Sequence, residues 1–140
     1  MKLRNRIILL AFVAIIAFSI AIPAFAVENV ATPYYNNTAT TQESFVIDEN
    51  GNADISFTCR GYRGVTTQIE VTTVIQKQVG SSWVDVEGAL WTKESTLYYC
   101  ANDYAIQLSE RGTYKAVFTF TVAGNGGETD VIVREIQKTY

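Results

Sequence analysis

Gly112-Thr113-Tyr114-Lys115-Ala116-Val117-Phe118-Thr119-Phe120-Thr121-Val122 alternates apolar and polar side chains with period two. Tyr114, Ala116, Phe118, Phe120 and Val122 fall on one face and Lys115, Thr119 and Thr121 on the other, the pattern of a half-buried strand. Downstream, Gly124-Asn125-Gly126-Gly127 is a hairpin loop of residues that tolerate positive φ, and Val131, Ile132 and Val133 make a final strand ending near Ile136. Upstream, Phe45-Val46-Ile47 is turned by Asp48-Glu49-Asn50-Gly51-Asn52. Ile55, Phe57 and Cys59 then alternate with Asp54, Ser56 and Thr58, and Gly61-Tyr62-Arg63-Gly64 turns again. Ile69, Val71, Thr73 and Ile75 share one face of a long strand, and Gly80-Ser81 turns it into Trp83-Val84-Asp85-Val86. Leu90 and Trp91 suit a short edge strand. Leu97-Tyr98-Tyr99-Cys100 opens another, continued by Tyr104, Ile106 and Leu108, with a bulge expected at Asn102-Asp103. No window repeats apolar residues at i, i+3, i+4, i+7. The chain is therefore read as all-β, a single antiparallel β-sandwich of seven or eight strands, with a small closed barrel as the alternative.

The first 26 of the 140 residues read as a signal peptide. Lys2, Arg4 and Arg6 precede an uncharged apolar run from Ile7 to Ile22, and Pro23 leads into Ala24-Phe25-Ala26, a small-residue cleavage pattern. An uncleaved membrane anchor is the rival reading, because the apolar run approaches spanning length. No cysteine follows the run to support a lipid anchor. Cleavage after Ala26 leaves 114 residues, and losing those three cations takes the net charge from −3 to −6. The exported product is expected to be secreted or cell-surface associated, with no membrane segment after cleavage. Its acidity argues against nucleic acid as a partner. Residues 27–43, rich in Thr and Asn and including Pro33, read as a flexible linker, which leaves 44–140 as the sandwich domain.

Two cysteines, Cys59 and Cys100, lie in the exported part. An even count in an oxidising compartment favours one structural disulfide, the alternative being two buried thiols. Neither has a CxxC partner to suit it for redox catalysis.

Ser109-Glu110-Arg111-Gly112-Thr113-Tyr114 resembles the tyrosine corner of immunoglobulin-like sandwiches, where a tyrosine at the start of strand F bonds back to the backbone upstream. The resemblance implies that Tyr114 is a structural tyrosine, that Cys59 lies on strand B and that Cys100 begins strand E. Strands B and E are antiparallel neighbours, so a Cys59–Cys100 bridge is geometrically reasonable. Ala116 occupies the place of the second antibody cysteine, so the antibody disulfide itself is missing. The leader, Thr32-Pro33-Tyr34-Tyr35, Gly80-Ser81-Ser82-Trp83 and Gly112-Thr113-Tyr114 together resemble small secreted proteins of Gram-positive bacteria with this type of fold. That likeness implies a fold and a compartment and brings no active site with it.

The catalytic inventory is thin. With no histidine, there is no Ser-His-Asp or Cys-His set and no HExxH helix. No mature serine is followed three residues later by lysine, and no glycine-rich phosphate loop occurs. Asp48-x-Asn50-x-Asn52 resembles the start of a calcium loop, but Ala53 and Cys59 stand where the loop needs glycine and glutamate, and an Asn-Gly turn explains the stretch. No metal or cofactor is expected. Asp85 and Glu87 share a strand face, which makes a carboxylate-dependent glycoside-active enzyme conceivable.

The preferred expectation is a non-enzymatic binding or surface-interaction module whose partner is an extracellular polysaccharide or protein. Trp83, Trp91, Tyr62 and Tyr99, near turns and irregular strands, are the candidate ligand contacts, since flat rings stack on sugars and anchor protein contacts. A second possibility is a small acidic inhibitor of an extracellular enzyme, acting through the Asp48–Asn52 loop.

Overall fold

The computed structural model describes residues 34–140; the signal peptide assigned to 1–26 and the first part of the linker lie outside them. Among the described residues there are seven strands and no helix. They are β1 (Thr38–Ile47), β2 (Asn52–Gly61), β3 (Thr66–Val79), β4 (Ser82–Ser95), β5 (Tyr99–Gln107), β6 (Thr113–Gly124) and β7 (Asp130–Thr139). One sheet has the order β1-β2-β5 and the other β4-β3-β6-β7, and every neighbouring pair is antiparallel. This is an immunoglobulin-like sandwich: β2 and β5 take the places of strands B and E, and β3, β6 and β7 those of C, F and G.

Period-two patterning explains the layering. Phe45, Ile55, Phe57 and Cys59 from the smaller sheet face Ile69, Val71, Ile75, Phe118, Phe120, Val122 and Ile132 from the larger one, all buried. Phe57 meets Phe120 edge to face across the sheets, with ring centroids 6.1 Å apart. The Tyr114 hydroxyl donates to the Glu110 carbonyl at 2.6 Å, the hydrogen bond that defines a tyrosine corner.

Three boundaries differ from the expectation. The domain does not begin at Ser44, because Thr38–Glu43, assigned to the linker, already belong to β1. The segment shows no apolar period because polar groups anchor its start: Asp130 accepts from the Asn37 amide and the Thr38 hydroxyl, each at 2.8 Å, and from the Asn36 amide at 2.9 Å. Leu90 and Trp91 are part of a 14-residue β4 rather than a short separate strand. The bulge expected at Asn102-Asp103 is absent, since β5 pairs with β2 residue for residue from Tyr99 to Gln107. Asp103 simply points outward from an edge strand, where a polar side chain meets water. A bulge falls instead in β4, where the partners of β3 jump from Leu90 to Asp85 and Gly88 adopts φ +75°, and smaller register shifts lie at Thr38–Thr40 and Thr66–Gln68.

Candidate ligand-binding face

Because the odd-numbered residues of β2 point into the core, the even ones face outward. Matching them to their partners gives four rows across the small sheet: Thr40–Arg60–Tyr99, Gln42–Thr58–Ala101, Ser44–Ser56–Asp103 and Val46–Asp54–Ala105. The middle rows are dominated by small side chains, so the sheet surface sinks between taller residues. The result is a trough of about 540 Å³ lined by Gln42, Ser44, Ser56, Thr58, Tyr99 and Asp103 among others. A second hollow of about 270 Å³ shares Ser44, Ser56 and Asp103 and continues towards Val46 and Asp54. From Arg60 to Asp54 the face runs about 20 Å, at about 3.4 Å per residue. The volume lies within the range of small-ligand sites, but hydroxyl, amide and carboxylate groups replace the usual apolar walls. Such a lining suits a hydroxyl-rich ligand rather than a greasy one.

The candidate aromatics separate. Tyr99 closes one end of the trough, 43 % exposed, with the Arg60 guanidinium 5.9 Å from its ring centroid. Tyr62, 42 % exposed, stands on the β2–β3 turn at the same end of the sandwich. That turn meets the β4–β5 connection where the Gly61 amide donates to the Tyr98 carbonyl at 2.8 Å. Trp91 is half-buried at the margin of the core. It lies opposite the buried Thr73, stacks on Tyr104 at 4.7 Å and packs against the core. Trp83 is half-buried beside Gln78 on the other sheet, with the Lys115 ammonium 4.7 Å from its ring. Tyr99 alone of the four lines the trough; Tyr62 lies at the same end of the sandwich, and the tryptophans belong elsewhere.

The remaining sequence candidates have structural occupations. The Asp48 carboxylate accepts from the Asn50 and Asn52 amides at 2.8 Å and from the Asn52 side chain at 2.7 Å, so this acid organises its own turn. Those bonds, the Asn52 side chain's first, hold its carboxyl below the usual range. Asp85 accepts from the Gln76 side chain at 2.9 Å. Asp85 and Glu87 border a separate cavity of about 320 Å³ between β4 and β5, whose walls include Val79, Val84, Val86 and Ile106. No group of three acidic or thiol side chains among the described residues is placed to hold a metal ion.

Cys59 and Cys100 are direct partners on β2 and β5, both buried and both free thiols. Burial pushes the Cys59 thiol up to about 12, with smaller contributions from Cys100 and Asp130. The Gly61–Tyr98 bond, two residues along each strand, makes Cys59–Cys100 a hydrogen-bonded pair with Cα atoms about 5.5 Å apart. That spacing lies within disulfide range.

Sequence reasoning missed Arg60 and Arg63, and it listed Ser56 and Thr58 only as the polar side of a strand. The signal was the outward series Asp54, Ser56, Thr58, Arg60, but its meaning depends on the small residues that β1 and β5 set beside it.

No family model and no curated protein matches this chain. Among solved structures it is similar to a crystallised protein from Archaeoglobus fulgidus, at 13 % identity over 74 % of this chain and 97 % of that one, with a TM-score of 0.33. A likeness of that size carries no argument here.

Proposed function

We propose that this protein is an exported, non-enzymatic binding module, akin to small secreted immunoglobulin-like proteins of Gram-positive bacteria. In this reading it holds an extended, hydroxyl-rich polysaccharide along the outer face of β1-β2-β5. The observation that carries the reading is the trough, because its length suits a polymer and its lining suits hydroxyl groups. Tyr99 supplies a ring for stacking against a sugar face. The test is retention on immobilised polysaccharides. Tyr99→Ala, and a charge-neutral filling of the trough by Ser56→Gln with Ala101→Gln, are expected to reduce retention. Trp91→Ala should leave the retention of folded protein unchanged. Undiminished binding by both trough variants, in folded form, would remove this face from consideration.

The same proposal includes export with cleavage after Ala26 and closure of a Cys59–Cys100 disulfide outside the cell. Closure turns two thiols into one S–S bond, releasing two protons and passing two electrons to the disulfide of an extracytoplasmic thiol oxidoreductase. The support is the facing placement of the two cysteines. Intact mass of the exported protein tests both parts. The expected species begins at Val27 and is lighter by two hydrogen atoms than its reduced form.

A further inference from the structure

The geometry points to an anion subsite at the Tyr99 end of the trough, where Arg60 and Arg63 hold the carboxylate or phosphate of an acidic sugar unit. This inference rests on the trough reading and names the class of polymer that the trough takes.

The arginines are arranged in an unusual way for an acidic protein. The Arg60 guanidinium sits over Tyr99 and that of Arg63 over Tyr98, at 5.9 and 5.0 Å from the ring centroids. Arg63 Nη2 also donates to the Tyr98 hydroxyl at 2.7 Å. Both charges act on that hydroxyl: the Arg63 hydrogen bond, then the Arg63 and Arg60 charges, hold the Tyr98 phenol below its usual value. Tyr98 and Tyr99 are consecutive, so both guanidinium groups lie at the start of β5.

Among the described residues no carboxylate forms an ion pair with them. The ion pairs among the described residues are Lys77–Glu110, Lys115–Glu135 and Arg134–Glu43, and none involves Arg60 or Arg63. Asp103, the nearest acid in the rows of the trough, lies four residues along the strands from the Arg60–Tyr99 row. That separation along the backbone is about 14 Å. Each guanidinium is a planar fork of N–H donors that matches a carboxylate or phosphate; Arg63 gives one of its donors to Tyr98 and keeps the others. The Tyr98 hydrogen bond already restrains Arg63, which reduces the side-chain entropy lost when the anion binds. The trough therefore has a direction: the acidic sugar sits at Arg60 and Arg63, and neutral, hydroxyl-rich units lie towards Ser44 and Ser56.

The experiment uses protein exported from the full-length gene and three immobilised probes: oligogalacturonate for carboxylate, phosphomannan for phosphate and neutral dextran. At least one acidic probe should bind about tenfold more tightly than dextran, with the preference shrinking as salt rises. Which acidic probe is preferred identifies the anion. Arg60→Gln with Arg63→Gln should reduce acidic binding to the dextran level, while Arg60→Lys with Arg63→Lys should retain part of the preference by keeping charge without the fork. Equal binding of all three probes by the unaltered protein, or an undiminished preference in the folded Gln double variant, would overturn the anion subsite. If in that case dextran binding is still lost on filling the trough with Ser56→Gln and Ala101→Gln, the polysaccharide reading stands and only the subsite fails. Binding indifferent to the arginine variants and to the trough filling alike removes both.

Discussion

Asp130 shows how much one side chain can carry in this fold. Its carboxylate is buried and accepts three hydrogen bonds from Asn36, Asn37 and Thr38, holding the entry to β1 against β7. Asn37 extends the network, donating to the Glu128 carbonyl at 2.8 Å and accepting from the Gly126 amide at 3.1 Å. Replacing the carboxylate by an amide puts a donor where donors already converge. Asp130→Asn is expected to cost about 2–3 kcal/mol, read from the urea midpoint. Glu43 has the opposite character. It points inward at the β1 edge, 3.7 Å from Arg134, with one carboxylate oxygen buried and unpartnered. Burial raises its carboxyl against the smaller opposing pull of Arg134. The folded state therefore holds this proton more tightly than the unfolded chain does. The group's contribution favours folding below the ordinary value near 4.5 and is lost as pH rises through the raised one. Glu43→Gln should remove this component, so its stability should fall less than that of the unaltered protein between mildly acidic and neutral pH. A urea titration at several pH values would show the two profiles separating as pH rises.

At the scale of elements, strands were legible wherever apolar alternation was strong. β6 could be read in full because its inner residues are Tyr, Ala, Phe, Phe and Val and most of its outer ones are Lys or Thr. The start of β1 could not, because Thr38–Glu43 contributes hydrogen bonds rather than apolar area to the interior. β4 was only half legible: its bulge breaks the alternation at Glu87-Gly88, so the pattern reads as two pieces. The turn after β2 has its own demand. A Cβ on Gly61 would collide with the Thr66 side chain. Thr66 has no room to yield, because its hydroxyl donates to the Asn37 carbonyl at 2.5 Å and accepts from the Tyr62 amide at 2.9 Å. Gly61→Ala is expected to destabilise by about 1–3 kcal/mol, whereas Gly64→Ala meets no atom and loses only the ease of its positive φ at +79°. Thermal unfolding of the two variants would rank them.

For the whole molecule, the Cys59–Cys100 pair gives the sharpest expectation. A bridge closing 41 positions of chain should raise stability by about 3–4 kcal/mol on the loop-entropy argument. Unfolding of the exported protein should therefore shift to lower denaturant after full reduction, and Cys59→Ala should be insensitive to reductant. Equal midpoints with and without reductant would mean that the thiols stay open.

The sequence alone determined the all-β class, the period-two faces of the sandwich, the tyrosine at the start of β6 and the lack of histidine chemistry. These are local properties, set by side-chain alternation and by which residue types are present. Only the tertiary structure decided that Arg60 and Tyr99 form one row beside a polar trough, that Trp91 stacks on Tyr104 and that Cys59 faces Cys100. Those relations depend on register between strands far apart in the chain, and a one-residue slip would turn every such side chain to the opposite face.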